Sequence, residues 1–543
     1  MNAPPPSAAI PLGKKIAFAA CASALALGIA EAALRLAGFA YAPRQPMLWV
    51  PTVAGFQGTY EFFIPTALAP PGYVWLAAPN TPYTDRRGFR LPELPDRKEP
   101  GKFRIAFLGG STTQGGYRPY PERAVAILNA AAGTNRYEAL NAACSSYSTH
   151  QSLIVLQRLV FGLRPDLVCL YHGWNDAQIQ EDGFRDDPKD AAANRAGPPP
   201  RWTQPLRRAR ILQAMGWLID RFRNPEPRVP PERFRANLER FADLCAEQNV
   251  PGLLFTRPPW RRDPPTAPGP AMSAYYSARY RAANDLDWQD REHAEYSGIQ
   301  RDVAAARGLA LFDASQVVEN LEARRQAGEF GPDVRIYQPD GLHLTPFGEQ
   351  RLAEALALQL AGPESDPVRN LVASPGYLAD LARTSLAEAL PFDAAYYAQA
   401  AAQADPARRP EMEACRAQAE SLFEFARLFE EARWGGTDPD FASQLAKLRR
   451  CLDLRPHDVG VPVQILRLCA FNGRPDLAAD AMQGFQPTNP TDFLRWKGLV
   501  FQSHADAQRW DAAAQTAREV LAADPANEAA RSFLDQYSRD RRP

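Results

Sequence analysis

Ser111 follows the run Phe103-Arg104-Ile105-Ala106-Phe107-Leu108-Gly109-Gly110, which is apolar except at Arg104 and stops in small and hydroxylated residues. A serine placed there is a nucleophile offered at the end of a buried strand, once a base takes its proton. Two plainer readings fit the same residues: a Gly-rich strand-to-helix turn and a phosphate-cradling loop. The phosphate loop is the weaker, because it needs Lys and then Ser or Thr after its last Gly. Here Gly115 is followed by Gly116 and Tyr117. In Asp340-Gly341-Leu342-His343 a carboxylate and an imidazole are spaced so that Asp340 can hold one ring nitrogen while the other faces out. That is a general base with its orienting acid; the plainer reading is a loop leading into a helix, with an incidental histidine. In Gly173-Trp174-Asn175-Asp176 the Asn175 amide can donate to an oxyanion, or it can serve as a turn-former or helix cap after a strand. Together these residues suit acyl transfer. Ser111 attacks, His343 takes the proton and Asp340 fixes the tautomer. Donors to the tetrahedral intermediate come from Asn175, the Ser111 backbone N–H and a third N–H in the loop after the second strand.

The elements that must hold these residues alternate. Strands are expected at 103–108, Tyr137–Ala142, Asp166–Tyr171, Pro251–Thr256 and Leu309–Asp313. Helices are expected at Pro121–Ala132, Gln151–Leu163, Ile211–Phe222, Glu232–Gln248 and Pro346–Leu360. Strands that are mostly continuous apolar runs, separated by amphipathic helices, predict a parallel sheet covered on both faces. Right-handed crossovers point all such strands one way, and ligands bind beyond their carboxyl ends. Ser111, Asn175 and the Asp340–His343 loop all fall at that edge. The insertions at 185–231 and 258–300 lie between these stretches and are candidate pocket walls. Trp202, Trp217, Trp260, Tyr275 and Tyr276 are their aromatic residues, each more readily explained by packing.

In order and spacing the stretches resemble the blocks of the SGNH/GDSL hydrolases, over about residues 103–362. Gly109-Gly110-Ser111-Thr112 is similar to the block with the nucleophile. Gly173-Trp174-Asn175-Asp176 is similar to the block with the oxyanion asparagine, and Asp340-Gly341-Leu342-His343 to the block with the acid and base. The resemblance implies a flavodoxin-like three-layer parallel sheet and ester hydrolysis without metal or cofactor. Many such enzymes remove or transfer acyl groups on glycans or lipids. The family's second block carries a Gly whose N–H completes the oxyanion hole. In Asn141-Ala142-Ala143-Cys144-Ser145-Ser146-Tyr147 the matching position is Ser146, with Cys144 or Ser145 as alternatives. Trp174 fills the variable place of its block and either walls the substrate pocket or packs. His150 and His172 match no family role and read as structural.

Lys plus Arg equals Asp plus Glu at 62 each, so nothing in the charge points to nucleic acid or an acidic partner. The seven cysteines form no CxxC pair and read as buried small apolar residues, neither a metal site nor a disulfide framework. At the N-terminus a short tail (1–15) ends in Lys14-Lys15. The run from Ile16 to Ala30 is uncharged, and the apolar stretch continues to Phe39 past Glu31 and Arg35. We read 16–39 as an uncleaved transmembrane signal anchor with a cytoplasmic tail. A cleaved signal peptide is the rival: Ala40-Tyr41-Ala42 has the small-x-small form, but Pro43 would follow the cut. Either reading exports the rest to the periplasmic or extracellular side. Residues 43–102 read as an irregular lead-in, with Asp85–Arg90 a structural turn.

From 363 to 543 the chain is Ala-, Leu- and Arg-rich. Pro456, Pro490 and Pro525 recur at spacings of 34 and 35, with helical segments at Phe493–Phe501 and Trp510–Leu521. This resembles degenerate tetratricopeptide repeats, which offer a surface to a protein partner; a plain helical bundle is the alternative. The expectation is a membrane-anchored serine esterase acting on an acyl ester such as an O-acetylated glycan. The alternatives are an O-acyltransferase on a cell-envelope polysaccharide using the same residues, and a non-enzymatic assembly factor working through the helical repeats.

Overall fold

Residues 11–39, 64–65, 75–76, 84–115, 118–177, 209–222, 227–260, 286–338, 341–434, 441–472 and 474–540 are described by the computed structural model of the chain. Five strands form the central sheet: β1 (Phe103–Gly109), β2 (Tyr137–Asn141), β3 (Leu167–Tyr171), β4 (Gly252–Phe255) and β5 (Ala310–Phe312). Every pairing is parallel and the order is β2-β1-β3-β4-β5. That is the flavodoxin-like order, as the resemblance implied. A separate antiparallel pair, Ile64–Pro65 with Trp75–Leu76, lies in the lead-in.

Alternation along β1 divides the core. Ile105 and Phe107 face one apolar layer, with α3 (Tyr120–Ala132), α9 (Ala314–Gln326) and α10 (Pro346–Ala361). Ala106 and Leu108 face the other, with α4 (Thr149–Val155), α7 (Pro231–Glu247) and α8 (Leu286–Arg307). Arg104, the one charge in the opening run, is fully buried. It sits opposite Glu138 in the register, pairs with that carboxylate at 3.0 Å and donates from Nη1 to Leu163 O at 2.7 Å. A buried cation is tolerated because it is paired and hydrogen-bonded. The helix expected over 151–163 is broken into α4, a π-helical turn Leu156–Val160 and a 3-10 turn Phe161–Leu163. Asp85 supports the structural reading of its loop: its carboxylate accepts from the backbone of Arg87 and Phe89.

The N-terminal helix α1 (Leu12–Leu36) is long and apolar enough to cross a membrane. At 1.5 Å per residue it spans about 37 Å, more than a hydrocarbon core of about 30 Å. Six of the seven cysteines are buried, as expected; Cys21 is exposed, because it lies on this helix.

The first apolar layer continues past residue 362. Val368, Ala379, Ala382, Tyr397, Ala398, Ala401, Met412 and Cys415 belong to it. They come from α11 (Asp366–Val372), α12 (Pro375–Ala387), α13 (Pro391–Ala404) and α14 (Arg409–Glu420). Beyond them lie two further apolar clusters, within residues 425–499 and 501–530. All described elements there are helical, including Pro490–Asp506 and Trp510–Ala523 where helices were expected. A polar chain stitches α3 to α12 through α10: Arg123 donates to Gln350 (2.9 Å), and Gln350 and Tyr377 share a bond of 2.6 Å. Around this seam burial pushes three carboxyls up to about 7. They are Glu122 of α3, Glu349 of α10 and Asp393 of α13, with Arg123 opposing the shift at Glu349 and Asp393.

Each of these groups holds its proton more tightly folded than unfolded. Its contribution is therefore complete at low pH, below the ordinary carboxyl range, and is lost as pH rises through about 7. The melting temperature of the full chain should fall between about pH 5 and about pH 8. Asp393→Asn, which cannot ionise, should flatten that fall and melt higher than wild type at the alkaline end. Thermal melts across the range check this; a variant that loses stability in parallel with wild type would remove Asp393 from the account.

Candidate active site

β1 ends at Gly109, and the chain turns at once into the single-turn helix α2 (Ser111–Gln114). Ser111 is its first residue, so its N–H lies ahead of any carbonyl of the turn that could pair with it. Two glycines make the approach possible. A Cβ on Gly109 would lie 2.2 Å from Thr113 Oγ1, and one on Gly110 would lie 2.5 Å from Asn175 Nδ2.

Three loops at the carboxyl edge are laced together by side chains. Gln114 Oε1 accepts from Ser145 N (2.9 Å) and Ser145 Oγ (2.7 Å). Asn141 Nδ2 donates to Thr113 O (3.0 Å), closing the same gap from the end of β2. Asn175, in the turn α5 (Trp174–Ala177) after β3, donates from Nδ2 to Tyr147 O at 2.8 Å. That bond uses one of the two amide hydrogens and holds the group over Gly110. Asp176 is fully buried and accepts from Thr149 N (2.9 Å), Thr149 Oγ1 (2.6 Å) and Gly173 N (3.2 Å).

Ser146 lies in the second loop with φ 64°, inside a turn closed by Tyr147 N donating to Cys144 O at 3.1 Å. A residue in the left-handed region at the third place of such a turn is where glycine is normally used. The backbone shape that glycine favours is therefore kept although the residue is serine. The Ser146 carbonyl accepts from the Arg228 guanidinium. The second-block alternatives differ from it: Cys144 is buried and Ser145 is bonded to Gln114.

His343 reaches this edge from the far end of the domain. Its loop is held in a narrow hairpin: Gln338 N donates to His343 O (2.7 Å) and Thr345 N to Ile336 O (2.9 Å). Thr345 Oγ1 then caps α10 by accepting from Gly348 N at 3.1 Å, with Pro346 at the first helical position. His343 Nε2 and Ser111 Oγ lie 2.7 Å apart, joining residues 232 positions apart in sequence. Ser111, Ser146, Asn175 and His343 are each partly exposed at one edge. Asp340 lies outside the described residues, as do Trp202, Tyr275, Tyr276 and the Trp217 side chain.

Trp174 is 9% exposed, and the Arg257 guanidinium lies over its ring at 4.8 Å. Arg257 also pairs with Glu292 at 2.8 Å. It lies two residues past β4, and Gln114 lies just past β1, so the rule that ligands sit beyond strand ends could have found both; Arg228 carries no such signal. His172 is buried, bonded to Ser152 Oγ at 2.7 Å, and its pKa is pushed down to about 3 by burial and by Arg228. A neutral, enclosed imidazole fits the structural reading. Among the described residues no cluster of His, Cys, Asp and Glu could hold a metal ion.

Residues 107–351 match the family described as GDSL-like lipase/acylhydrolase. No curated protein matches the chain. Solved structures with similarity include an alpha/beta hydrolase enzyme from the metagenome of Lake Arreo, Spain. It is 19% identical over 48% of this chain and 96% of its own, with a TM-score of 0.30. The lipase/acylhydrolase from Enterococcus faecalis is 17% identical over 48% and 96%, with a TM-score of 0.30. An acetylxylan esterase from Geobacillus stearothermophilus is 15% identical over 49% and 97%, with a TM-score of 0.31.

The left-handed backbone at Ser146 gives a direct test. A non-glycine residue there costs roughly 1–2 kcal/mol, partly offset in a glycine variant by the freer unfolded chain. Ser146→Gly should therefore stabilise the protein by about 0.5–1 kcal/mol in denaturant melts. Destabilisation would mean that the Ser146 side chain makes a contact worth more than the backbone cost.

Proposed function

We propose that this chain, an ester-hydrolysing enzyme carrying a GDSL-like lipase/acylhydrolase domain at residues 107–351, is a membrane-anchored serine esterase. In this reading it acts on acyl esters of exported glycans. The observation that carries the mechanism is the 2.7 Å approach of His343 Nε2 to Ser111 Oγ. For Nε2 to accept, the imidazole proton sits on Nδ1, the tautomer that a carboxylate at Asp340 would hold. His343 takes the hydroxyl proton as Ser111 Oγ bonds to the acyl carbon. The carbonyl oxygen becomes an oxyanion, facing the backbone N–H groups of Ser111 and Ser146 and the second amide hydrogen of Asn175. As the tetrahedral intermediate collapses, the ester C–O bond breaks and His343 gives its proton to the departing alcohol. Water then attacks the acyl-enzyme, with His343 again as base, and releases the carboxylic acid and Ser111.

The glycan part of the reading rests on the resemblance to SGNH/GDSL enzymes, and the anchor on the length and apolar character of α1. With the lysines of the tail inside, the catalytic domain lies on the exported side. Arg257, buried over Trp174 and paired with Glu292, packs behind the turn that carries Asn175 and helps to hold it in place. The helical region after 420 is then a surface for a protein partner.

A fluorophosphonate should label Ser111 in the full chain, and His343→Ala should abolish labelling and aryl acetate turnover. Ser111→Ala should abolish turnover with an unchanged melting temperature. Asn175→Ala should lower kcat by about 10²–10³, the usual loss for one oxyanion donor. Gly110→Ala should behave alike, because its Cβ would displace the amide. Near wild-type turnover in Asn175→Ala would remove that residue from the oxyanion hole. Release of aryl alcohol that requires an added glycan acceptor would reassign the same chemistry to acyl transfer.

A further inference from the structure

Large apolar side chains exposed on the described surface are concentrated on two helices. Ile16, Phe18, Leu25, Leu27, Ile29 and Leu36 lie on α1. Leu212, Met215 and Leu218 lie on α6 (Arg210–Phe222), a helix in the insertion that follows Asn175. The spacing of three residues puts Leu212, Met215 and Leu218 along one side of α6. The two helices meet, although 180 residues separate the joined positions: Ile211 N donates to Glu31 Oε2 at 2.9 Å. That contact is confined to one end of α1. Glu31 and Leu34 are partly covered, while residues 13–30 with described side chains are all exposed. Helix α6 therefore starts at the outer end of the apolar span and leads away from it, since a helix running down beside α1 would cover the residues before Glu31.

We propose that α6 is an interfacial helix that lies in the headgroup layer of the outer membrane-facing surface, with Leu212, Met215 and Leu218 directed into lipid. This rests on the reading of α1 as an anchor. Glu31 fixes the depth: it stands where the uncharged run ends, so the first turn of α6 is level with the polar boundary. The flanking charges suit the place. Residues 207–223 carry Arg207, Arg208, Arg210, Arg221 and Arg223 against the single acid Asp220. Arginines that flank an apolar-faced helical segment in sequence favour anionic headgroups. The partner is thus a lipid surface with anionic headgroups. The insertion returns to the site at Arg228 and Val229, which bond to the Ser146 and Asp176 carbonyls. The candidate site is thereby held at the membrane face, where acyl esters on lipid-linked or surface-bound chains are presented.

The test uses the full chain with Cys21→Ala, in which the remaining six cysteines are buried. A fluorophore is placed at Met215→Cys or, separately, at Leu25→Cys. Each protein is reconstituted into vesicles of phosphatidylcholine and phosphatidylglycerol carrying nitroxides at shallow or deep positions. Unchanged aryl acetate hydrolysis confirms that the labelled chains are folded. The Met215 label should be quenched roughly twofold or more by the shallow nitroxide, less by the deep one, and should be shielded from aqueous iodide. The Leu25 label should be quenched chiefly by the deep nitroxide. Iodide quenching at Met215 without lipid quenching, while Leu25 is quenched by lipid, overturns the proposal and leaves the anchor standing. Stronger deep than shallow quenching at Met215 also overturns it, by placing α6 across the bilayer. A Leu25 label that no lipid nitroxide quenches removes the anchor, and the proposal with it.

Discussion

The parallel sheet imposes the constraint on which the rest depends. All five strands end at one edge, so the segments leaving β1, β2 and β3 emerge side by side with unpaired backbone groups. Those groups must find partners or stay in water. The chain answers with side chains from neighbouring loops. Gln114 serves the second loop, Asn141 the first and Asn175 the second, while the Asp176 carboxylate closes its own turn and the start of α4. The bonds between loops join residues 27 to 31 positions apart in sequence. Together they make three loops into one rigid floor, and rigidity is what a preorganised set of donors requires. The histidine comes from a fourth segment with its own fixture, the Thr345 cap at the head of α10. Its 2.7 Å approach to Ser111 then follows from two independently braced parts.

The region after 362 takes part in that bracing. Helices α11 to α14 share an apolar layer with β1 and α10, so they cover the face on which the helix after the His343 loop packs. Arg351 sits between the two regions: its guanidinium lies over the rings of Phe347, Tyr396 and Tyr397 and pairs with Glu354. Such a seam is stable only if its charges are paired or neutralised. Arg351 is paired; Glu122, Glu349 and Asp393 are pushed toward the neutral form. The cost of ionising them above neutral pH links the stability of this seam to the solvent.

Much of this was legible in the sequence. The five strands were readable because both faces of a parallel sheet are buried, which makes each strand a short apolar run. The helices were readable from their period, and Ser111, Asn175 and His343 from their places after strands and before a helix. What was not legible depends on packing between distant segments. Gln114 looks like any polar residue after a turn until Ser145 is brought against it. Nothing in the composition of 363–415 says that its alanines complete the layer begun by Ile105 and Phe107. The π-helical turn at Leu156–Val160 also has no local marker. Ser146 is the instructive case: the residue type departs from the glycine that the turn wants, yet the turn persists at φ 64°. A turn of this kind is specified by conformation, and residue type only biases conformation.

The insertion between Ala177 and Arg228 shows how placement and chemistry become one problem. At its start, Ala177 N donates to Gly173 O; at its end, Val229 N donates to Asp176 O and Arg228 to Ser146 O. Both ends are thus tied to the two loops that carry the candidate oxyanion donors. Arg228 and Val229 join the Ser146 and Asp176 loops through direct hydrogen bonds. An insertion that only enlarged a pocket could hang from one loop by a free linker. Tying both ends to these loops fixes Ala177 relative to Arg228 and Val229. Helix α6 of the same insertion begins against Glu31 of α1, so one insertion touches both the candidate site and the helix that precedes the domain.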